Sequence, residues 1–149
     1  MTLNRTAKTF LASILVTAAG FAAAGGTQTI NASATVNKVC KFTTGAAIAM
    51  TFANIDPSLS ADAMKTATVP FKCTKGTTDT TITVTTGGSS LVNGANSMAY
   101  TTSVSAPPTG AGFASAATEV TVTGTITAAA YQDAPALTYT DTITLTINN

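Results

Sequence analysis

Between residues 27 and 40, Ile30, Ala32, Ala34 and Val36 fall on even positions, and Thr29, Asn31, Ser33 and Thr35 on odd ones. Successive side chains of an extended chain point to opposite faces, so this pattern predicts a strand with one apolar and one polar edge. Period two returns through Ile48, Met50 and Phe52, through Val69, Phe71 and Cys73, and through Ile82 and Val84. It continues through Met98, Tyr100 and Val104, and through Val120, Val122 and Ile126. It is strongest in the last run, where Ile143, Leu145 and Ile147 face one side and Thr142, Thr144 and Thr146 the other. Asp56-Pro57 marks a loop over residues 53–63, and Gly87-Gly88, Asn93-Gly94 and Pro107-Pro108 mark further breaks. Pro70 cannot donate to a ladder, which predicts a sheet edge or strand start there. Six or seven short strands with short turns predict an all-β chain, an antiparallel sandwich, with no helix past the N-terminal segment.

Composition agrees with that pattern. The chain of 149 residues is 45% hydrophobic and only 9% charged, which fits one domain with a core. Thr and Ala dominate, and β-branched residues suit a pleated surface. Residues 1–24 read as a secretory signal: Arg5 and Lys8 are its positive end, residues 9–19 its apolar centre, and Ala22-Ala23-Ala24 its cleavage site. Cleavage after Gly20 is the alternative. The apolar centre falls short of the roughly 20 residues a membrane span needs. Without residues 1–24 the chain keeps 125 of its 149 residues, and its formal charge of +1 becomes −1 as Arg5 and Lys8 leave. No basic run exists, so nucleic acid is not an expected partner.

Cys40 and Cys73 are the only cysteines. In an exported chain two cysteines most simply pair with each other. A metal or redox pair is the poorer account, because there is no His and no C-x-x-C spacing. Catalysis lacks its usual residues as well. General acid–base work draws most often on His, and the carboxylates are scattered, most of them in predicted turns. Asp56 beside Pro57 is a turn former, and Asp141 is a hydrogen-bonded rim position in an otherwise apolar strand face. No nucleophile elbow, phosphate loop or metal-spaced cluster is present. We therefore expect no enzyme activity, cofactor, metal or small-molecule substrate. With no Trp and three Tyr, no sugar-stacking platform is expected either.

The run Tyr139-Thr140-Asp141-Thr142-Ile143-Thr144-Leu145-Thr146-Ile147 resembles the closing strand of spore coat U domain proteins, a family that includes subunits of archaic chaperone–usher pili of Gram-negative bacteria. Phe52-Ala53-Asn54-Ile55-Asp56-Pro57 resembles that family's Phe-Gly-x-(Tyr/Ile)-Asp-Pro segment, with Ala53 where Gly is usual. The spacing of Cys40 and Cys73, the alternating arm before Cys40, and Asn93-Gly94 followed by Tyr100 fit more loosely. Pilins outside the archaic branch usually carry a penultimate Tyr, whereas this chain ends Ile147-Asn148-Asn149.

The resemblance implies an incomplete Ig-like β-sandwich, residues 39–149, completed by a donor strand from the neighbouring subunit. Residues 25–38 would be the donor, inserting Ile30, Ala32, Ala34 and Val36 into a groove bordered by Ile143, Leu145 and Ile147. The implied role is a subunit of an extracellular pilus, exported through the periplasm, that supports adhesion and biofilm formation. Its implied partners are identical subunits, with a periplasmic chaperone and an outer-membrane usher during assembly. The alternation alone leaves a second expectation open: the arm completes its own domain, in a self-complemented secreted coat or matrix protein of spore-coat-U type.

Overall fold

The computed structural model describes residues 25–149, and the expected signal segment 1–24 lies outside them. The chain divides into a stretch ending at Ala34 and a body, Thr35–Asn149. In chain order the body holds β1 (Cys40–Phe42), β2 (Ala63–Cys73), β3 (Thr81–Thr86), β4 (Ser90–Asn93), β5 (Asn96–Ala99), β6 (Thr101–Val104), β7 (Thr118–Ile126), a single helical turn α1 (Ala128–Tyr131) and β8 (Thr144–Asn148). Among the described residues the protein is thus all-β but for one turn. Among the described residues no helix is long and apolar enough to cross a membrane.

Four strands form one antiparallel sheet in the order β1-β2-β7-β6, β3 pairs with β8, and β4 pairs with β5. Alternation decides which face of the main sheet is covered. Val120, Val122 and Ile126 of β7 are buried, while Glu119 on the same strand is exposed. Phe71 and Cys73 of β2 join Val120 and Ile82 of β3 in one core cluster, against which Leu145 and Ile147 of β8 pack. A second cluster gathers Met98, Tyr100, Ile126 and Tyr131 under Met50 and Phe52. Cys40 and Cys73, directly opposed in the β1–β2 ladder, form the expected disulfide, with Cα atoms 4.1 Å apart.

Two sequence expectations are corrected and one, at Pro70, is refined. Pro70 lies within β2 rather than at its start, at the point where β1 pairing ends at Phe71 and the far side of β2 becomes an edge, with β7 still paired on the other side. Its missing N–H takes effect at the end of the β1 ladder. Thr43 N–H donates to Pro70 O at 3.0 Å, no return bond is available, and β1 stops at Phe42. Ile48 to Phe52, expected to be a strand from its alternation, belongs to no ladder. The expected absence of helix also fails locally. The Ala-rich run 128–130 makes one helical turn that buries Tyr131, whose hydroxyl donates to Ala61 O at 2.6 Å.

Gly87 shows how closely the closing segment approaches the β3–β4 turn. Its φ is +73°, and a Cβ there would collide with the Thr142 carbonyl. Gly87→Ala therefore meets both left-handed strain and a backbone clash, and is expected to cost about 1–3 kcal/mol. Thermal unfolding of the variant checks this, and an unchanged midpoint would contradict the close approach.

Candidate functional site

The site is a trough with two adjoining recesses. The first, about 340 Å³, is lined by Phe42 at the end of β1, Val69 and Val122 from the main sheet, and Ile143 and Leu145 from the closing segment. The second, about 670 Å³, has Met98, Ile126 and Tyr131 in its lining, with Phe52, Ile55 and Tyr139. Ile48 and Met50 line both recesses, so the two are continuous. One wall is residues 44–57 and the other is residues 134–145.

The backbone along these walls is under-bonded. The Thr43–Pro70 bond is the last backbone–backbone bond before the Asp56–Leu59 turn among the described residues. On the opposite wall, β8 pairs with β3 on one edge and has no ladder partner on the other among the described residues. Residues 44–55 are held instead by side chains. Phe52 packs edge-to-face on Tyr100, ring centroids 6.4 Å apart, and Met50 and Phe52 sit over Gly124. A Cβ at Gly124 would lie 2.7 Å from Met50 Cε, so the glycine makes room for this wall.

The closing segment is shorter as a strand than expected. Ladder pairing with β3 begins at Thr144, and Thr140 forms a separate bridge with Val92 of β4. Asp141 stands between the two. Its Oδ2 accepts from Tyr100 O–H at 2.6 Å and Gly88 N–H at 2.7 Å, and its Oδ1 accepts from Thr142 N–H at 2.8 Å. The Tyr100 hydrogen bond is the chief cause holding the Asp141 carboxyl below its ordinary value of 3.8; partial burial opposes it, and the two N–H donors add to it. Burial, followed by the Asp141 hydrogen bond and charge, raises the Tyr100 hydroxyl well above its ordinary range.

The sign of the pH effect follows. Because the folded carboxyl titrates below 3.8, its contribution is complete above that pH and is lost as pH falls through the lower folded value. Asp56, hydrogen-bonded to Ser58, and Asp79, beside Lys38, shift in the same direction. Asp141→Asn is therefore expected to remove part of the melting-temperature loss between about pH 4 and pH 2 and leave the remainder. Superimposable acid limbs for the two proteins would contradict this.

None of the predicted donor residues belongs to either core cluster. Residues 25–38 form no strand, and Ile30 and Val36 are 86% and 80% exposed. Ala32 and Ala34 are exposed too. The last residues before β1 are anchored: Lys38 Nζ lies 2.6 Å from Asp79 Oδ2, Val39 N–H donates to Thr74 Oγ1 at 3.0 Å, and the Thr74 hydroxyl reaches Asn37 O at 3.1 Å. Of the predicted groove residues, Ile143 and Leu145 line the trough, whereas Ile147 sits opposite Ile82 and packs on the disulfide-side core.

Sequence reasoning did not assign Phe42, Val69, Val122 or Tyr131 to the site. The alternation of Ile48, Met50 and Phe52 was a usable signal for one wall; nothing periodic marked Tyr131. Compared with known protein families, curated proteins and solved structures, the chain matches none.

Proposed function

We propose that this chain is a structural subunit of an extracellular fibre, a pilus assembled by donor-strand exchange. Residues 25–38 of one copy lie in the trough of the next and complete an Ig-like sandwich. The observation that carries the reading is a single chain holding both an apolar trough with under-bonded backbone on its two walls and an exposed arm of strand periodicity. A strand laid in the trough gives the wall amides partners and covers the recesses together, which is the logic of strand addition. Ile30 to Val36 spans about 20 Å when extended. Full burial of Ile30 and Val36 is worth roughly 1.5–3 kcal/mol each, while Ala32 and Ala34 add less. A head-to-tail contact of this kind does not close on itself, so it propagates as a fibre.

An open trough needs cover before assembly, because unpaired backbone and exposed apolar surface invite misassociation. A periplasmic chaperone and an outer-membrane usher are the partner classes that fit. Adhesion and biofilm formation are the roles such a surface fibre would support.

The test is electrophoresis of the 25–149 chain in SDS, boiled and unboiled, beside a variant lacking residues 25–38. A ladder that collapses on boiling and is absent from the variant supports exchange. A monomer before boiling, with the truncated chain unfolded, would mean that the arm completes its own domain.

A further inference from the structure

Two stretches of the chain change ladder partner beside Asp141. The closing segment exchanges bonds with β4 through Thr140 and Val92, at 2.9 and 3.0 Å, then with β3 from Thr144 onward. Residues 141–143 belong to neither ladder. The run 96–104 also switches, from β4 to β7, with Tyr100 at the change and its N–H donating to Ser89 O at 3.1 Å. The β3 register shifts between Val84 and Thr86, just before the Gly87-Gly88 turn. One carboxylate takes donors from three places: Tyr100 between β5 and β6, Gly88 in the β3–β4 turn, and Thr142 in the closing segment itself. Bonds to an ionised acceptor are stronger than neutral ones, so this is a firm point of attachment. Asp141 also lies in the lining of the second recess, between Tyr139 and Ile143, two of the side chains that the closing segment supplies to the trough.

We infer that Asp141 is a positioning residue for strand acceptance. Its three hydrogen bonds hold residues 139–143 in the one course that presents Tyr139 and Ile143 to the recesses and keeps the outer backbone edge free. Released from that point, the segment has no ladder of its own over 141–143 and loses its fixed register against an incoming strand. The inference rests on the reading of the trough as the acceptor of residues 25–38.

The test uses as its parent the 25–149 chain carrying Ile30→Asp and Val36→Asp, whose own arm leaves the trough open. The probe is a fluorescent peptide of the unsubstituted residues 25–38, with capture followed by anisotropy and release started by excess unlabelled peptide. Asp141→Asn and Tyr100→Phe are each expected to release the peptide about tenfold faster than the parent chain. Val120→Ala, a core change outside the trough, serves as the comparison. It is expected to lower the melting temperature at least as much while releasing peptide at the parental rate. Parental release by both Asp141→Asn and Tyr100→Phe overturns the inference and leaves the acceptor reading intact. Acceleration by Val120→Ala equal to that of Asp141→Asn also overturns it, because general loosening would then be the cause. If the parent chain captures no peptide, the acceptor reading falls and the inference falls with it.

Discussion

A chain carrying Ile30→Asp together with Val36→Asp is expected to run as a monomer in unboiled SDS gels, under conditions where the parent chain is expected to give a ladder. Both side chains are almost fully exposed in the single chain, at 86% and 80%, so their replacement removes no contact from the body's core. The loss falls on the assembled state. Burial of the two side chains there is worth roughly 3–6 kcal/mol together, and placing carboxylates in an apolar trough adds a desolvation penalty. The milder Ile30→Ala is expected to shorten the lifetime of the contact by on the order of 10- to 100-fold. Mixing separates a donor defect from misfolding. The double variant keeps the trough residues unchanged, so it is expected to accept a parental arm but donate none, and small additions are expected to shorten the parental ladder. A parental ladder unchanged by the additive, or a double variant that polymerises normally, would exclude the arm as the joining element.

Removal of the disulfide by Cys40→Ala with Cys73→Ala is expected to lower the free energy of unfolding by about 3–4 kcal/mol. The bridge closes a loop across a sequence separation of 33 residues, long enough for the unfolded chain to lose substantial freedom. Both cysteines are buried, and the Thr80 hydroxyl lies 3.1 and 3.5 Å from their sulfurs, so the substitution also leaves a small void. The effect reaches the arm, because residues 37–39 are anchored to Thr74 immediately beside the bridge. Urea unfolding of the two proteins, extrapolated to water, gives the difference directly. A loss below about 1 kcal/mol would show that the β1–β2 ladder holds without the covalent link.

The acid limb expected from Asp141 and the cost expected at Gly87 concern one place, the meeting of the closing segment with the β3–β4 turn. They separate by mechanism. One is a charged hydrogen bond that titrates, and the other is a steric limit that does not.

The alternation of side chains along the chain was enough to determine the all-β class, because period two depends only on neighbouring residues in an extended backbone. It placed Val120, Val122 and Ile126 on the covered face of β7, and Leu145 and Ile147 on the covered face of β8. Two cysteines in an otherwise cysteine-free chain were enough for the disulfide. The alternation of the arm was equally legible, since its pattern owes nothing to the rest of the chain, but the strand it predicts is not formed over residues 25–38 of the single chain.

Only the tertiary structure decided which strand lies beside which. Ile48 to Phe52 alternates as clearly as β3, yet one has β8 as a partner and the other has none, because pairing depends on what a distant segment brings alongside. Pro70 sits within β2 because its missing N–H falls just where β1 ends, a register that no local rule contains. Asp141 looked like a polar interruption of an apolar face. Its meaning came from Tyr100 and Gly88, 41 and 53 residues away along the chain, whose donors meet one carboxylate only once the strands have folded. Period two determines faces, and long-range register determines edges, turns and the trough between them.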